Sequence, residues 1–148
     1  MNSAALDYIP QRAPFFLIDD VIYAEGDITR TTLAIKEDNL FIVDGHFTEP
    51  GLIENMAQTA GAGTGYRAIK GNKPKPMGYI AALKNINIYS LPAIGDTITT
   101  EAVFLQALLN FHLVKGKVMV GDKEIANCEF KIFVTPDPQL NKAEQAAG

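Results

Sequence analysis

The segment from Pro50 to about Ile69 most constrains what this 148-residue chain can fold into. No charged residue occurs between Asn55 and Tyr66, whereas a surface helix of this length would carry several. The apolar and small residues recur at the three- and four-residue spacing of a helix, at Leu52, Ile53, Met56, Ala57, Ala60, Gly61 and Thr64. The sequence therefore predicts a helix that is buried on every side, with Thr48 or Glu49 as its cap.

The same segment contains Gly61, Ala62, Gly63 and Gly65. A glycine inside a helix costs about 1 kcal/mol relative to alanine, so close packing of the helix backbone against a neighbour must offset that cost. We expect this neighbour to be a sheet that wraps around the helix.

The rest of the chain has the alternating pattern of strands. Before the helix, Phe15 to Ala24 and Ile28 to Lys36 predict a hairpin, and Ser3 through Tyr8 predicts a short helix. After it, four strands are predicted, the last three as a meander: Gly78 to Tyr89, Thr97 to Leu108, Phe111 to Val120 and Ile125 to Val134. We predict an α+β fold in which a curved antiparallel sheet surrounds one long helix. Residues 1–135 form a single domain, and residues 136–148 are a flexible tail with too few apolar residues to order.

The charge balance limits the classes of partner. A net charge of −4 and a pI near 5.1 argue against nucleic acid or a membrane surface, because both favour a basic face. One basic cluster follows the apolar segment: Arg67, Lys70, Lys73 and Lys75. Cations at this place complement the C-terminal end of the helix dipole, and the cluster is a weak candidate for docking an acidic carrier protein.

Cysteine and histidine usage excludes several kinds of site. Cys128 is the only cysteine, so an intrachain disulfide and a multi-thiolate metal site are impossible, and we expect it to be a core residue. His112 is predicted to be structural because its strand carries no acidic neighbour. No metal-ligand spacing and no phosphate-binding loop occurs, and the N-terminus resembles neither a signal peptide nor a membrane span. We expect a soluble cytoplasmic protein without metal or cofactor.

The stretch before the helix combines groups suited to catalysis. His46 and Glu54 are separated by seven residues, and Pro50 and Gly51 start the helix between them. A neutral imidazole can remove a weakly acidic proton near pH 7, and a carboxylic acid in a dry pocket can protonate a leaving group. The N–H groups of Gly51 and Leu52 at the helix start are candidates for binding a developing enolate oxygen, and Gln58 for orienting Glu54. Each residue alone also has an ordinary structural explanation, such as a surface histidine or an acid that favours the helix dipole.

Five motifs in one order resemble the bacterial (3R)-hydroxyacyl-acyl carrier protein dehydratases, which have the hot-dog fold. They are Ile9-Pro-Gln-Arg-Ala-Pro-Phe-Phe-Leu-Ile-Asp19, Gly45-His-Phe47, Pro50-Gly51, Glu54-Asn-Met-Ala-Gln58 and Ile94-Gly-Asp96. The resemblance implies that His46 is the general base, that Glu54 handles the leaving hydroxyl, and that the Gly51 N–H faces the thioester carbonyl. It also implies a site shared across a dimer, with the histidine from one subunit and the carboxylate from the other.

The loop between His46 and Glu54 is shorter than the usual motif of that family and lacks its second Pro-Gly pair. In this the chain is most similar to the dehydratase-like proteins of aryl polyene and flexirubin pigment synthesis. The resemblance implies dehydration of a 3-hydroxyacyl thioester on acyl carrier protein, in fatty-acid-like or polyene biosynthesis. Two alternatives stay open: a hot-dog thioesterase, and a non-catalytic acyl- or carrier-binding subunit. We also predict a homodimer or higher oligomer, because the sheet leaves edge strands to be covered.

Overall fold

The computed structural model describes residues 3–4, 8–9, 11–12, 15–74 and 77–135. The predicted tail lies outside these residues. The elements before the helix are β1 (Ser3–Ala4), β2 (Asp20–Glu25), β3 (Ile28–Ala34), β4 (Ile42–Val43) and β5 (His46–Phe47). The helix α1 spans Glu49–Lys70 and is followed by β6 (Met77–Ile88), β7 (Thr97–Leu108), β8 (Phe111–Val120) and β9 (Lys123–Thr135).

Seven of these strands form one antiparallel sheet in the order β1-β2-β3-β7-β8-β9-β6. The predicted hairpin is β2–β3, and the predicted meander is β7–β8–β9. Since β3 pairs with β7 and β6 closes the far side beside β9, the helix that separates the two halves of the chain lies on one face of a single sheet. The α+β hot-dog architecture is confirmed.

Close packing explains two of the helix glycines. A Cβ atom on Gly63 would collide with Thr29 Oγ1, and one on Gly65 would collide with the backbone carbonyl of Tyr8. Gly61 differs, because a Cβ there meets only Ile9 Cγ2 at 3.7 Å. The helix thus touches β3 and the N-terminal segment at positions where no side chain fits. Thr48 is the N-cap residue, but its hydroxyl donates to the Phe41 carbonyl and not to the helix.

The predicted strand from Phe15 was wrong over its first five residues, because β2 begins only at Asp20. In that segment, side chains of the helix make the backbone hydrogen bonds that a neighbouring strand would otherwise make. Leu17 N–H donates to Gln58 Oε1 at 2.8 Å, Asn55 Nδ2 donates to the Leu17 carbonyl at 2.8 Å, and Gln58 Nε2 donates to the Phe15 carbonyl at 2.8 Å. The predicted N-terminal helix was also wrong where it is described, since Ser3–Ala4 pairs with β2 as a strand.

The helix crosses the strands of the sheet. Met56 packs against Gly116 of β8, and seven residues later Gly63 packs against Thr29 of β3. Thr29 pairs with Ala102, and Ala102 pairs with Gly116, so these three residues form one row across the sheet. No helix in the described part of the chain is long and apolar enough to span a membrane.

Candidate functional site

A groove of about 810 Å³ runs along one flank of α1. The helix contributes Glu54, Ala57, Gln58, Gly61 and Thr64, which recur at helical spacing on one side. The opposite wall consists of side chains from five strands, among them Ile80, Ile132, His112, Phe104 and Thr29. Because the larger part of the lining surface is apolar, the groove is suited to an extended hydrocarbon chain.

Two measures give the same length for this groove. Glu54 and Arg67 mark its ends on the helix, and thirteen residues at a rise of about 1.5 Å correspond to about 20 Å. The opposite wall crosses β6, β9, β8, β7 and β3, whose four spacings of about 4.8 Å correspond to about 19 Å. The groove therefore follows the helix across the sheet, from Glu54 near β9 to Arg67 near β3.

The two polar side chains at the β9 end are Glu54 and Gln58. Gln58 is 2% exposed, and its Nε2 donates to Glu54 Oε1 at 3.0 Å as well as to Phe15. The Gln58 amide cannot rotate without losing its bonds to Phe15 and Leu17, so it holds the Glu54 carboxyl in one orientation. This contact is the one that the sequence suggested for Gln58.

His46 is held outside the groove by a tight hairpin. Val43 pairs with His46, and the two loop residues, Asp44 and Gly45, have φ values of 51° and 78°, as a type I′ turn requires. His46 Nδ1 lies 2.9 Å from the Asp44 carbonyl oxygen. A carbonyl oxygen only accepts, so Nδ1 carries the proton and Nε2 of the neutral ring is left with a free lone pair. The exposed ring is thus presented as a base.

The two predicted backbone donors differ at the helix start. Leu52 N–H donates to the Thr48 carbonyl at 3.1 Å, so it already has a partner and is not the free donor that we expected. Gly51 is the third helical residue, and N–H groups in the first turn have no acceptor within the helix. A Cβ on Gly51 would lie 2.6 Å from Phe47 Cζ, so the backbone approaches the buried Phe47 ring as closely as only glycine allows.

The structure does not bring His46 and Glu54 together in one chain. Glu54 lines the groove, whereas His46 is exposed on β5, where it pairs with Ala93 and is not among the described residues that line the groove. The histidine that does line the groove is His112, on β8. Its place in the groove follows from the pairing of β8 with β7 and β9, which the residues beside His112 in the sequence do not reveal.

The predicted basic cluster is divided between two environments. Lys70 and Lys73 are exposed, and Lys75 lies outside the described residues. Arg67 instead lines the groove, where its Nη2 donates to the Ile28 carbonyl and to Thr29 Oγ1. Burial lowers the pKa of the Arg67 guanidinium, and the nearby Asp27 charge acts in the opposite direction.

Comparison with known protein families decides the family of the chain. Residues 3–144 match the model of the ApeP-like family, described as ApeP dehydratase. The chain belongs to this dehydratase family. The match extends over both halves of the sheet and the helix between them, so it includes every residue discussed above.

Individual dehydratases agree with this assignment. The chain is 30% identical over 140 residues to the 3-hydroxyacyl-[acyl-carrier-protein] dehydratase FabZ of Ruminiclostridium cellulolyticum, covering 90% of this chain and 96% of that protein. It is 31% identical over 132 residues to the FabZ of Coxiella burnetii strain RSA 331, covering 82% and 90%.

Solved structures support the fold. The dehydratase heterocomplex ApeI:P from Xenorhabdus doucetiae matches with a TM-score of 0.84 and 17% identity, over 93% of both chains. A hypothetical thioesterase bound to coenzyme A, from Streptococcus pneumoniae TIGR4, matches with a TM-score of 0.65 and 12% identity, over 79% of this chain and 85% of that one.

Proposed function

We propose that the protein dehydrates a (3R)-3-hydroxyacyl thioester carried on acyl carrier protein to the trans-2-enoyl thioester, in fatty-acid-like or polyene biosynthesis. The observation that carries this proposal is Glu54, a carboxyl held by Gln58 at one end of a mostly apolar groove about 20 Å long. The similarity to FabZ dehydratases supports the same substrate class.

His46, Gly51 and Glu54 divide the reaction between them. His46 Nε2 removes the proton from C2 of the thioester, since its Nδ1–H is engaged by the Asp44 carbonyl. The Gly51 N–H stabilises the charge that develops on the thioester oxygen. The Glu54 carboxyl gives its proton to the 3-hydroxyl, which leaves as water while the C2–C3 double bond forms.

A second subunit supplies the missing histidine in this proposal. Among the described strands β6 pairs only with β9, so its outer edge is free. Four large apolar residues of β6 are exposed, namely Tyr79, Ile80, Leu83 and Ile86. Pairing of β6 with the β6 strand of a second copy would cover this edge and place His46 of one copy near the groove of the other.

Product analysis tests the activity. The wild-type protein is incubated with a (3R)-3-hydroxyacyl carrier protein, and mass spectrometry of the carrier follows the loss of water. We expect His46→Ala and Glu54→Gln to slow this reaction by about 10²- to 10⁴-fold, the usual contribution of a general acid or base. Glu49→Gln is the matched control, because Glu49 is an exposed carboxylate in the first turn of the same helix and does not line the groove.

Other products would select the alternatives. Release of the free hydroxy acid would indicate a thioesterase, and binding without turnover would indicate a non-catalytic acyl-binding subunit. If the wild-type protein is active and neither variant is slower than Glu49→Gln, the assignment of His46 and Glu54 is wrong.

Mixing the two inactive variants tests the shared site. Random exchange makes half of the dimers mixed, and each mixed dimer has one intact site of two, so the mixture should recover on the order of a quarter of the wild-type activity. No recovery despite subunit exchange would show that the two residues act within one chain or with a different partner protein. Lys70, exposed at the end of the helix, and Lys73, exposed just after it, remain our candidates for docking the carrier.

A further inference from the structure

His112 is the histidine that lines the groove among the described residues, and the proposed reaction leaves it unused. It lies on β8 in the wall opposite the helix, between the apolar residues Phe104, Val114 and Ile132. Its ring makes an edge-to-face contact with Phe104, with centroids 5.1 Å apart. No hydrogen bond to either ring nitrogen occurs within residues 15–74 and 77–135 or the described N-terminal positions. His112 is partly exposed and its ring nitrogens are not buried, so they are available to a ligand.

His112 lines the groove from the sheet and Glu54 lines it from the helix. Met56 packs on Gly116, so the helix crosses β8 there, and Glu54 lies two residues earlier, about 3 Å along the axis. His112, Val114 and Gly116 alternate along β8 and share one face of the sheet. Glu54 and His112 therefore belong to the same section of the groove, on opposite walls.

The space between these walls has the width of one acyl chain. His112 is four residues from Gly116, or about 13 Å along the strand at about 3.3 Å per residue. A helix with its side chains has a radius of about 5 to 6 Å, which leaves about 7 Å between the helix surface and the His112 backbone. Since carbon atoms in contact are about 4 Å apart, this lateral space accommodates one extended chain in the groove that Glu54 and His112 both line.

We propose that His112 binds the 3-hydroxyl group of the substrate opposite Glu54. This inference rests on the proposed dehydration. A hydroxyl has one donor and two acceptor lone pairs, so it can donate its hydrogen to a His112 ring nitrogen while it accepts the proton of the Glu54 carboxyl. His112 thereby selects 3-hydroxyacyl thioesters over saturated ones and turns a hydroxyl lone pair towards the acid.

The step balances with groups already assigned. The C2 proton goes to His46, and the electron pair of the C2–H bond becomes the second bond between C2 and C3. The C3–O bond breaks with its pair on oxygen, and the Glu54 proton completes a water molecule whose other hydrogen is the one held by His112. No oxidant, metal or additional reactant is needed.

Binding experiments separate this role from a packing role. In a Glu54→Gln background, which prevents turnover, the affinities of a 3-hydroxyacyl carrier protein and of the saturated acyl carrier protein of equal length are compared. One hydrogen bond is expected to favour the hydroxyacyl ligand by about 3- to 10-fold. His112→Phe, which keeps an aromatic ring against Phe104, should abolish this preference and leave the affinity for the saturated ligand within about 2-fold.

Two further variants keep the test decisive if His112→Phe binds neither ligand. His112→Gln retains an acceptor at similar reach and should preserve part of the preference, whereas the shorter His112→Asn should lose it. An unchanged preference in His112→Phe, or equal loss in the Gln and Asn variants, would overturn the role of His112. A wild-type protein that prefers the hydroxyacyl ligand but never dehydrates it would instead refute the proposed function and leave this inference standing.

Discussion

Replacing Gln58 with leucine should destabilise the fold by about 3 kcal/mol. The Gln58 side chain satisfies Leu17 N–H and the Phe15 carbonyl, at 2.8 Å each, and leucine satisfies neither. Leu17 is fully buried, so water cannot replace the lost partner of its N–H. An unsatisfied buried backbone group costs about 1 to 3 kcal/mol, and the Phe15 carbonyl, which is only partly buried, takes the low end of that range. Together the two losses lower the free energy of unfolding by about 3 kcal/mol.

Thermal unfolding followed by circular dichroism measures this loss. For a domain of this size we expect the melting temperature to fall by about 10 °C, from about 2 to 4 °C per kcal/mol. Thr64→Val is the matched control on the same helix, because it removes only a hydroxyl bond to the Ala60 carbonyl and should cost less than about 1 kcal/mol. If Gln58→Leu melts within about 2 °C of that control, helix side chains do not anchor the segment before β2.

Gln58→Glu adds a pH signature. Its carboxylate still accepts from Leu17 N–H but faces the Phe15 carbonyl and Glu54, two oxygens to which the amide donated. Only the protonated acid can donate to one of them, so the variant should gain stability relative to wild type as the pH falls. A stability difference that does not change with pH would contradict this hydrogen-bond assignment.

Two further predictions concern a pair of glycines and the cysteine. Gly51→Ala should lower stability by about 1 to 3 kcal/mol, because its Cβ would meet Phe47 Cζ at 2.6 Å. Gly61→Ala should raise stability by up to about 1 kcal/mol, because a Cβ there has room and alanine favours the helix. Equal melting temperatures for the two variants would refute the packing argument. Burial raises the pKa of the Cys128 thiol, whose side chain is 1% exposed. The unfolded thiol ionises near its ordinary pKa of 9.0 while the buried one stays neutral, so the stabilisation from Cys128 should be complete below 9.0 and lost above it. Urea melts of wild type and Cys128→Ala between pH 7 and 10 measure this, and maleimide labelling of the folded protein as fast as that of a free thiol would contradict it.

The parts of the fold that the sequence predicted well are those that a local pattern specifies. The absence of charge from Asn55 to Tyr66 predicted α1, and alternation predicted the meander, because burial acts on these residues through their own periodicity. Residues 15–19 have the composition of a strand, but Phe15 and Leu17 within them bond to Asn55 and Gln58, about forty residues away. Composition alone cannot distinguish such a segment from a strand with a neighbour.

The candidate site was predictable as a set of residues but not as an arrangement. His46, Glu54 and Gln58 were found from their chemistry, and the contact between Gln58 and Glu54 follows from helical spacing. The separation of His46 from the groove and the presence of His112 in it depend on strand pairing, in which His112 lies beside Ile132 and Ala107. The local sequence around His46 or His112 does not reveal which distant strand each one pairs with.

In the proposed reaction, the groove wall opposite the helix would determine the length of acyl chain that fits. Ile80, Ile132, His112, Phe104 and Thr29 belong to five successive strands, so the wall is divided into steps of about 4.8 Å. An extended chain advances about 3.5 Å over three bonds, and one step thus corresponds to about four carbon atoms. In that case one bulky or small residue on a single strand would change the acyl length that fits, without any change to the helix that carries Glu54.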